Sequence, residues 1–151
     1  MATAERTYVD PSALLKLYLH ERRSAAMSAW RTRVKGALPL TAHGRLEIVN
    51  GLSLAMFRRA IGADAWRDAV ASFDEDWVEG RYAHADVLWR STLKRAAELS
   101  RTHTPKLGCR SLDVLHVATA LELGLRDFLT FDRRQQQLAR AAGLKPVAPR
   151  M

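Results

Sequence analysis

The sequence has little cysteine, no long apolar run and no internal repeat. Cys109 is the only cysteine among the 151 residues, so no disulfide can form within the chain and a reducing, cytoplasmic setting is expected. No apolar stretch of about 18 residues is present, and the first residues lack the basic-then-apolar form of a signal peptide. We therefore expect neither secretion nor membrane spanning, and a single domain over residues 1–151.

Acidic residues are scarce relative to basic ones. The chain has 24 lysines and arginines against 16 aspartates and glutamates, which gives a formal net charge of +8 and a pI near 10.4. Nucleic acid, anionic lipid, an acidic protein or no partner at all are compatible with such a charge. Nucleic acid is favoured, because most of the excess is arginine, whose planar guanidinium matches phosphate oxygens, and no basic amphipathic membrane helix is evident.

Short β-branched or aromatic runs alternate with longer segments of helical periodicity. Strands are predicted at 7–10, 38–42, 128–131 and 145–148, and a loop at 104–108. A helix is predicted to begin at Pro11, and others to cover about 24–33, 44–59, 64–78, 82–100, 111–121 and 133–142, with Gly124 and Gly143 as stops. Strands that alternate with helices predict an α/β fold with a parallel sheet covered on both faces.

Within this pattern, four acidic residues occupy unusual positions. Asp10 and Asp132 each close a predicted strand, Asp113 follows the predicted cap Ser111 in the first turn of a helix, and Glu47 lies inside the apolar run 46–49. The carboxyl ends of parallel strands border the crevice where ligands bind. Because Mg²⁺ prefers carboxylate oxygens and can activate a water, the four acids suggest a metal site for phosphate chemistry.

Each of these residues also has a structural explanation. Asp10 and Asp132 can cap the following helices, Asp113 is favoured by the helix dipole, and Glu47 can pair with Arg45. The acids come from distant segments, so their spacing alone gives no metal-ligand signature. His116 lies one helical turn after Asp113 and is either a satisfied structural histidine or a group that orients phosphate or donates a proton. Arg133 and Arg134 either contact flanking phosphates or form a solvated pair.

Four segments carry motifs in a fixed order: 8–14 with D-x-S, 46–50 with the acid inside an apolar helix, 111–120 with D-x-L-H-x-A-T-A, and 128–135 with T-x-D. In these motifs the chain resembles PIN-domain ribonucleases, and within that family the VapC-type toxins of bacterial toxin–antitoxin pairs. The third and fourth segments together are the most specific. The resemblance covers nearly the whole chain, although residues 62–108 carry no family pattern.

The resemblance implies a three-layer α/β/α fold, with a short parallel sheet flanked by helices. It places Asp10, Glu47, Asp113 and Asp132 around Mg²⁺ or Mn²⁺. Supporting positions are Ser12 and Thr130, which match family residues that hydrogen-bond within the acidic cluster, together with Asn50 on the Glu47 face and His116.

The implied activity is metal-dependent endonucleolytic cleavage of RNA by an activated water, with a homodimer and a cognate antitoxin as partners. The alternatives are a PIN-fold nuclease that acts in RNA processing or on branched DNA, and a catalytically silent module that binds RNA or protein. An unrelated α/β binding protein is the remaining possibility.

Overall fold

The computed structural model describes residues 3–150, in which five strands alternate with seven α-helices. The strands are β1 (Thr7–Val9), β2 (Leu38–Thr41), β3 (Tyr82–Ala85), β4 (Asp127–Leu129) and β5 (Lys145–Val147). The helices are α1 (Pro11–Leu14), α2 (Ser24–Arg33), α3 (Ala42–Phe57), α4 (Ala63–Val78), α5 (Trp89–Leu107), α6 (Ser111–Glu122) and α7 (Arg133–Ala141). Short 3-10 turns cover Ala4–Arg6 and Leu15–Leu17. None of the helices in this part of the chain has the length and apolar character needed to span a bilayer.

Every strand pairing is parallel. β4 lies between β1 and β5, with Tyr8 opposite Phe128 and Val9 opposite Leu129, and β2 pairs with β3 in a separate ladder. β1 also contacts β2, so the two ladders lie side by side. The predicted three-layer α/β/α fold with a short parallel sheet is confirmed. Gly124 and Gly143 follow α6 and α7 with φ values of 70° and 93°, as expected for helix stops.

Two clusters of buried side chains fix the helices against the strands. The first joins α2, α3 and α4 and includes Met27, Ile48, Leu52 and Phe73. The second packs α6 and α7 on β1 and β4 through Tyr8, Val114, Val117, Phe128 and Leu138. Burial of each large apolar side chain contributes about 1.5–3 kcal/mol. The second cluster holds α6 and β1 firmly together, and these two elements carry Asp113 and the residue before Asp10.

Residues 82–108 differ from the sequence prediction. Tyr82–Ala85 is a strand rather than the start of a helix, and α5 begins at Trp89 and runs through Pro105 to Leu107, where a loop had been predicted. Only Tyr82 of β3 is fully buried, so the strand has no alternating apolar pattern. Its backbone is ordered by parallel pairing with β2, a distant segment, which local periodicity does not report.

The buried face of α3 also differs from the prediction. The hydrophobic periodicity predicts a buried face of Leu46, Val49, Ser53, Met56 and Phe57, widened by Ile48, Leu52 and Ala55. Ile48 and Leu52 are fully buried as predicted, but Leu46 and Phe57 are 67% and 82% exposed. Apolar residues occur nearly all round this helix, so their periodicity does not select one face.

Candidate functional site

Asp10 lies where β1 ends and α1 begins. Its N–H donates to the Leu129 carbonyl at 3.0 Å, which continues the β1–β4 ladder. Its Oδ2 accepts from the Ser12 N–H at 3.0 Å and from the Ser12 hydroxyl, so Asp10 caps α1. The carboxylate is nevertheless only 4% exposed, and no basic side chain of residues 3–150 forms an ion pair with it. Capping therefore explains the orientation of Asp10 but leaves a buried negative charge without a cation.

Glu47 projects from α3 and is held by a histidine of α6. Its Oε2 accepts from Nε2 of His116 at 2.5 Å, and Nδ1 of His116 lies 2.5 Å from the Tyr8 hydroxyl. Burial lowers the pKa of His116, but the bond to Glu47 and the nearby carboxylates Asp10, Glu47 and Asp113 outweigh it and raise the pKa. Pairing of Glu47 with Arg45 is not observed, because that guanidinium lies 4.5 Å over the Trp77 ring.

Asp113 lies in the first turn of α6. The predicted cap Ser111 is instead the first helical residue, and Arg110 occupies the cap position without a side-chain cap bond. Nε of Arg110 donates to Oδ2 of Asp113 at 3.2 Å, but the arginine side chain is 82% exposed, so water screens the pair. Burial raises the pKa of Asp113, and Asp10 and Asp132 add to this, while Arg110 opposes it.

Three of the four predicted acids line one cleft. Asp10, Glu47 and Asp113 surround a space of about 470 Å³. Other residues that line it are Pro11, Ser12, Leu15, Asn50, Gly51, Arg110, Ser111, Leu112 and His116. The structure therefore gathers side chains from β1–α1, α3 and α6, which are far apart in sequence, and Asn50 joins them from the Glu47 helix.

Asp132 lies in an adjoining cleft. That cleft, of about 390 Å³, is lined by Gly108, Cys109, Arg110, Asp113, Asp132, Arg133 and Arg134, so Arg110 and Asp113 border both spaces. Asp132 caps α7 by accepting from the Gln135 N–H at 2.9 Å, and its own N–H donates to Oγ1 of Thr130 at 3.1 Å. Unlike Asp10, Asp132 is exposed. Two acids with the same strand-end position in the sequence thus have different environments.

Gln135 is a site residue that the sequence reasoning did not identify. It is 1% exposed, and its Nε2 donates to Oδ1 of Asp10 at 2.9 Å and contacts the backbone carbonyl of Asp113 at 3.4 Å. Its backbone N–H also donates to Oδ1 of Asp132, the residue that caps α7. A glutamine three residues after a capping aspartate is a recognisable helix-start signal, but the contact with Asp10 depends on the fold. Gln135 therefore connects three of the acids.

The chain matches a known protein family. The model of the PIN domain matches residues 7–141. The chain belongs to the PIN-domain family. It is also similar to Ribonuclease VapC46 of Mycobacterium tuberculosis, with 29% identity over 144 residues that cover 94% of this chain and 96% of the relative. The resemblance to VapC-type PIN domains is confirmed by these two findings.

The acids of this PIN domain suit a hard divalent cation in their chemistry. Oε1 of Glu47 and Oδ1 of Asp113 accept no hydrogen bond from the described residues, and the cleft offers carboxylate oxygens from three elements. Mg²⁺ and Mn²⁺ prefer such oxygens. At the present side-chain positions, no group of three or more His, Cys, Asp or Glu side chains within residues 3–150 is close enough to hold an ion. Binding would require the carboxylates to move towards one another.

Proposed function

We propose that this PIN domain is a metal-dependent endoribonuclease that acts in the cytoplasm as the toxin of a type II toxin–antitoxin pair. The observation that carries the proposal is the cleft with Asp10, Glu47 and Asp113, three carboxylates opposed by the exposed Arg110 and by His116. Carboxylates that face the same cleft repel one another, and a bound cation would offset this repulsion. The name of the M. tuberculosis relative, a ribonuclease, supports RNA as the substrate.

The residues of the cleft have distinct proposed roles. Asp10, Glu47 and Asp113 would hold Mg²⁺ or Mn²⁺, with Asp132 contributing from the adjoining cleft. When bound, the ion supplies an activated water and offsets the charge that develops on the phosphate. Ser12 and Gln135 hold the two oxygens of Asp10, and Thr130 holds the backbone of Asp132.

The basic residues beside the cleft are proposed to bind the RNA backbone. Arg110, Arg133 and Arg134 line the adjoining cleft next to Asp113. If all four acids serve as ligands, 12 of the 16 acidic residues remain against 24 basic ones, a formal charge of +12. Binding of RNA should therefore weaken as salt is added. A homodimer and a cognate antitoxin are the proposed protein partners, on the basis of the VapC-type resemblance.

The proposal is tested by cleavage of labelled single-stranded RNAs by the purified protein. We expect cleavage that requires Mg²⁺ or Mn²⁺, stops with EDTA, and falls about 100-fold or more in Asp113→Asn. Asp64→Asn is the matched control, because the Asp64 side chain is 96% exposed and its one ion pair within residues 3–150 is with Arg67. Equal cleavage by the two variants would reject the assigned site. For the toxin role, induced expression should arrest growth with the wild type but not with Asp113→Asn.

A further inference from the structure

Tyr8, His116 and Glu47 form a continuous hydrogen-bonded relay beside the cleft. We infer that this relay sets the position of the Glu47 carboxylate relative to Asp10 and Asp113, and thereby the affinity of the cleft for a divalent cation. The inference rests on the proposed function, since it concerns the same cleft. It assigns Tyr8 and His116 a positioning role, in which neither residue touches the ion or the RNA.

The central histidine of the relay is held at both ring nitrogens. Nε2 of His116 donates to Oε2 of Glu47 and Nδ1 pairs with the Tyr8 hydroxyl, each at 2.5 Å. His116 and Tyr8 are 2% and 3% exposed. The Tyr8 ring stacks on Phe128 with centroids 5.3 Å apart, and the His116 ring stacks on His43 at 5.2 Å. Packing and hydrogen bonds together leave the imidazole a single orientation.

The relay joins the three elements that carry the acids of the cleft. Tyr8 is two residues before Asp10 and lies on β1, and His116 is three residues after Asp113 on α6. Glu47, at the other end, belongs to α3. A shift of any one element would stretch a short hydrogen bond. The spacing of the acids is therefore coupled through His116, which lines the cleft, and Tyr8, which lies behind it.

Glu47 benefits most from this arrangement. Its side chain is 29% exposed and has several rotatable bonds, so it would otherwise sample several positions. His116 engages only Oε2, and Oε1 accepts no hydrogen bond from the described residues. One oxygen is thus fixed and the other is left for an ion. Groups that orient metal ligands in this way typically change metal affinity 10- to 100-fold when they are removed.

A second, partly buried chain of hydroxyls and a carboxylate provides the control. The Tyr18 hydroxyl donates to Oδ2 of Asp76 at 2.6 Å and lies 2.7 Å from the Tyr82 hydroxyl. Neither Tyr18 nor Asp76 lines the acidic cleft. Tyr8→Phe and Tyr18→Phe each remove one hydroxyl that is hydrogen-bonded within a polar chain, so both should lower the melting temperature. Only Tyr8→Phe should change metal binding.

The experiment is a calorimetric titration of Mn²⁺ into the wild type, Tyr8→Phe and Tyr18→Phe, followed by RNA cleavage kinetics. We expect Tyr8→Phe to bind Mn²⁺ about 10-fold more weakly and to lose kcat at fixed Mn²⁺ with little change in KM for RNA. Tyr18→Phe should bind Mn²⁺ as the wild type does. Mn²⁺ affinity of Tyr8→Phe equal to that of the wild type, or reduced equally in Tyr18→Phe, would overturn the relay.

Two variants of the histidine make the test independent of the folding of Tyr8→Phe. His116→Gln retains an amide donor for Glu47, so its Mn²⁺ affinity should exceed that of His116→Ala. Equal affinities in these two variants would again overturn the relay. If the wild type itself bound no Mn²⁺, the proposed metal-dependent function would fail, and the relay would fail with it. Mn²⁺ binding by the wild type with unchanged affinity in Tyr8→Phe rejects the relay alone.

Discussion

Two groups of polar side chains in this molecule differ in how far their negative charge is balanced by basic partners. The acidic cleft brings together Asp10, Glu47 and Asp113, of which Asp113 pairs with Arg110 and Glu47 with His116, whereas Asp10 has no basic partner among the described residues. The tyrosine network, made of Tyr18, Asp76, Arg81 and Tyr82, contains a single carboxylate. That carboxylate has a hydroxyl donor at 2.6 Å and a guanidinium at 3.7 Å. The network is balanced, whereas the cleft has surplus negative charge.

The pKa shifts in the two groups reflect this difference. In the cleft, burial and the charges of Asp10 and Asp132 raise the pKa of Asp113, because a further negative charge is unfavourable there. In the network, burial raises the pKa of Tyr82 to about 12 and that of Tyr18 well above its ordinary value, so both hydroxyls stay protonated. A balanced group stabilises the fold, while an unbalanced one costs stability and indicates function.

The largest expected effect comes from neutralising the cleft. Asp10→Asn keeps one oxygen that can accept from Ser12, and its amide nitrogen can donate to Gln135 once the Gln135 amide turns over, while one of the negative charges is removed. We expect RNA cleavage to fall about 100-fold or more. The free energy of unfolding of the metal-free protein should stay the same or increase, because the repulsion is relieved. Cleavage assays and denaturant unfolding measure the two quantities.

Asp76→Asn is the counterpart in the tyrosine network. It weakens a charged hydrogen bond to Tyr18, so the free energy of unfolding should fall by roughly 1–3 kcal/mol while cleavage by the folded protein is unchanged. If both variants lost stability and activity in parallel, the distinction between a functional and a structural cluster would be wrong.

A smaller effect concerns the tyrosines at alkaline pH. The chain has three tyrosines, and burial is the largest cause of a raised pKa in each. In the unfolded chain a tyrosine ionises near its ordinary pKa of 10.0, whereas the folded protein retains the proton. Stability should therefore fall as the pH rises above about 10, and tyrosinate absorbance should increase only as the protein unfolds. A gradual increase in absorbance from the folded protein would contradict the burial of the network.

Much of the fold could be predicted from the sequence because local patterns determine it. β1 and β4 contain β-branched or aromatic residues, β2 is a short apolar segment with a proline near its start, and α1 begins at a proline. β3 was missed, since its order comes from pairing with β2 rather than from its own residues. Local sequence patterns predict an element that buries its own side chains, but they miss a strand whose hydrogen bonds come from a distant segment.

The same division applies to the site. The acids were predicted because charge at strand ends and inside apolar runs is visible in the sequence, and Asp10, Glu47 and Asp113 do line one cleft. The exposure of Asp132, the contact of Gln135 with Asp10 and the bond between Tyr8 and His116 were not predictable. Each of these depends on how α6 and α7 pack against β1 and β4.

The central claim is that the surplus negative charge in the acidic cleft serves to bind a divalent cation. Thermal unfolding with and without Mn²⁺ tests this claim most directly. Ligand at roughly 100 times its dissociation constant should stabilise the wild type by about 2.7 kcal/mol, seen as a higher melting temperature. The account predicts this increase for the wild type and for Asp76→Asn, and a much smaller one for Asp113→Asn. No increase in the wild type, or an equal increase in Asp113→Asn, would contradict it.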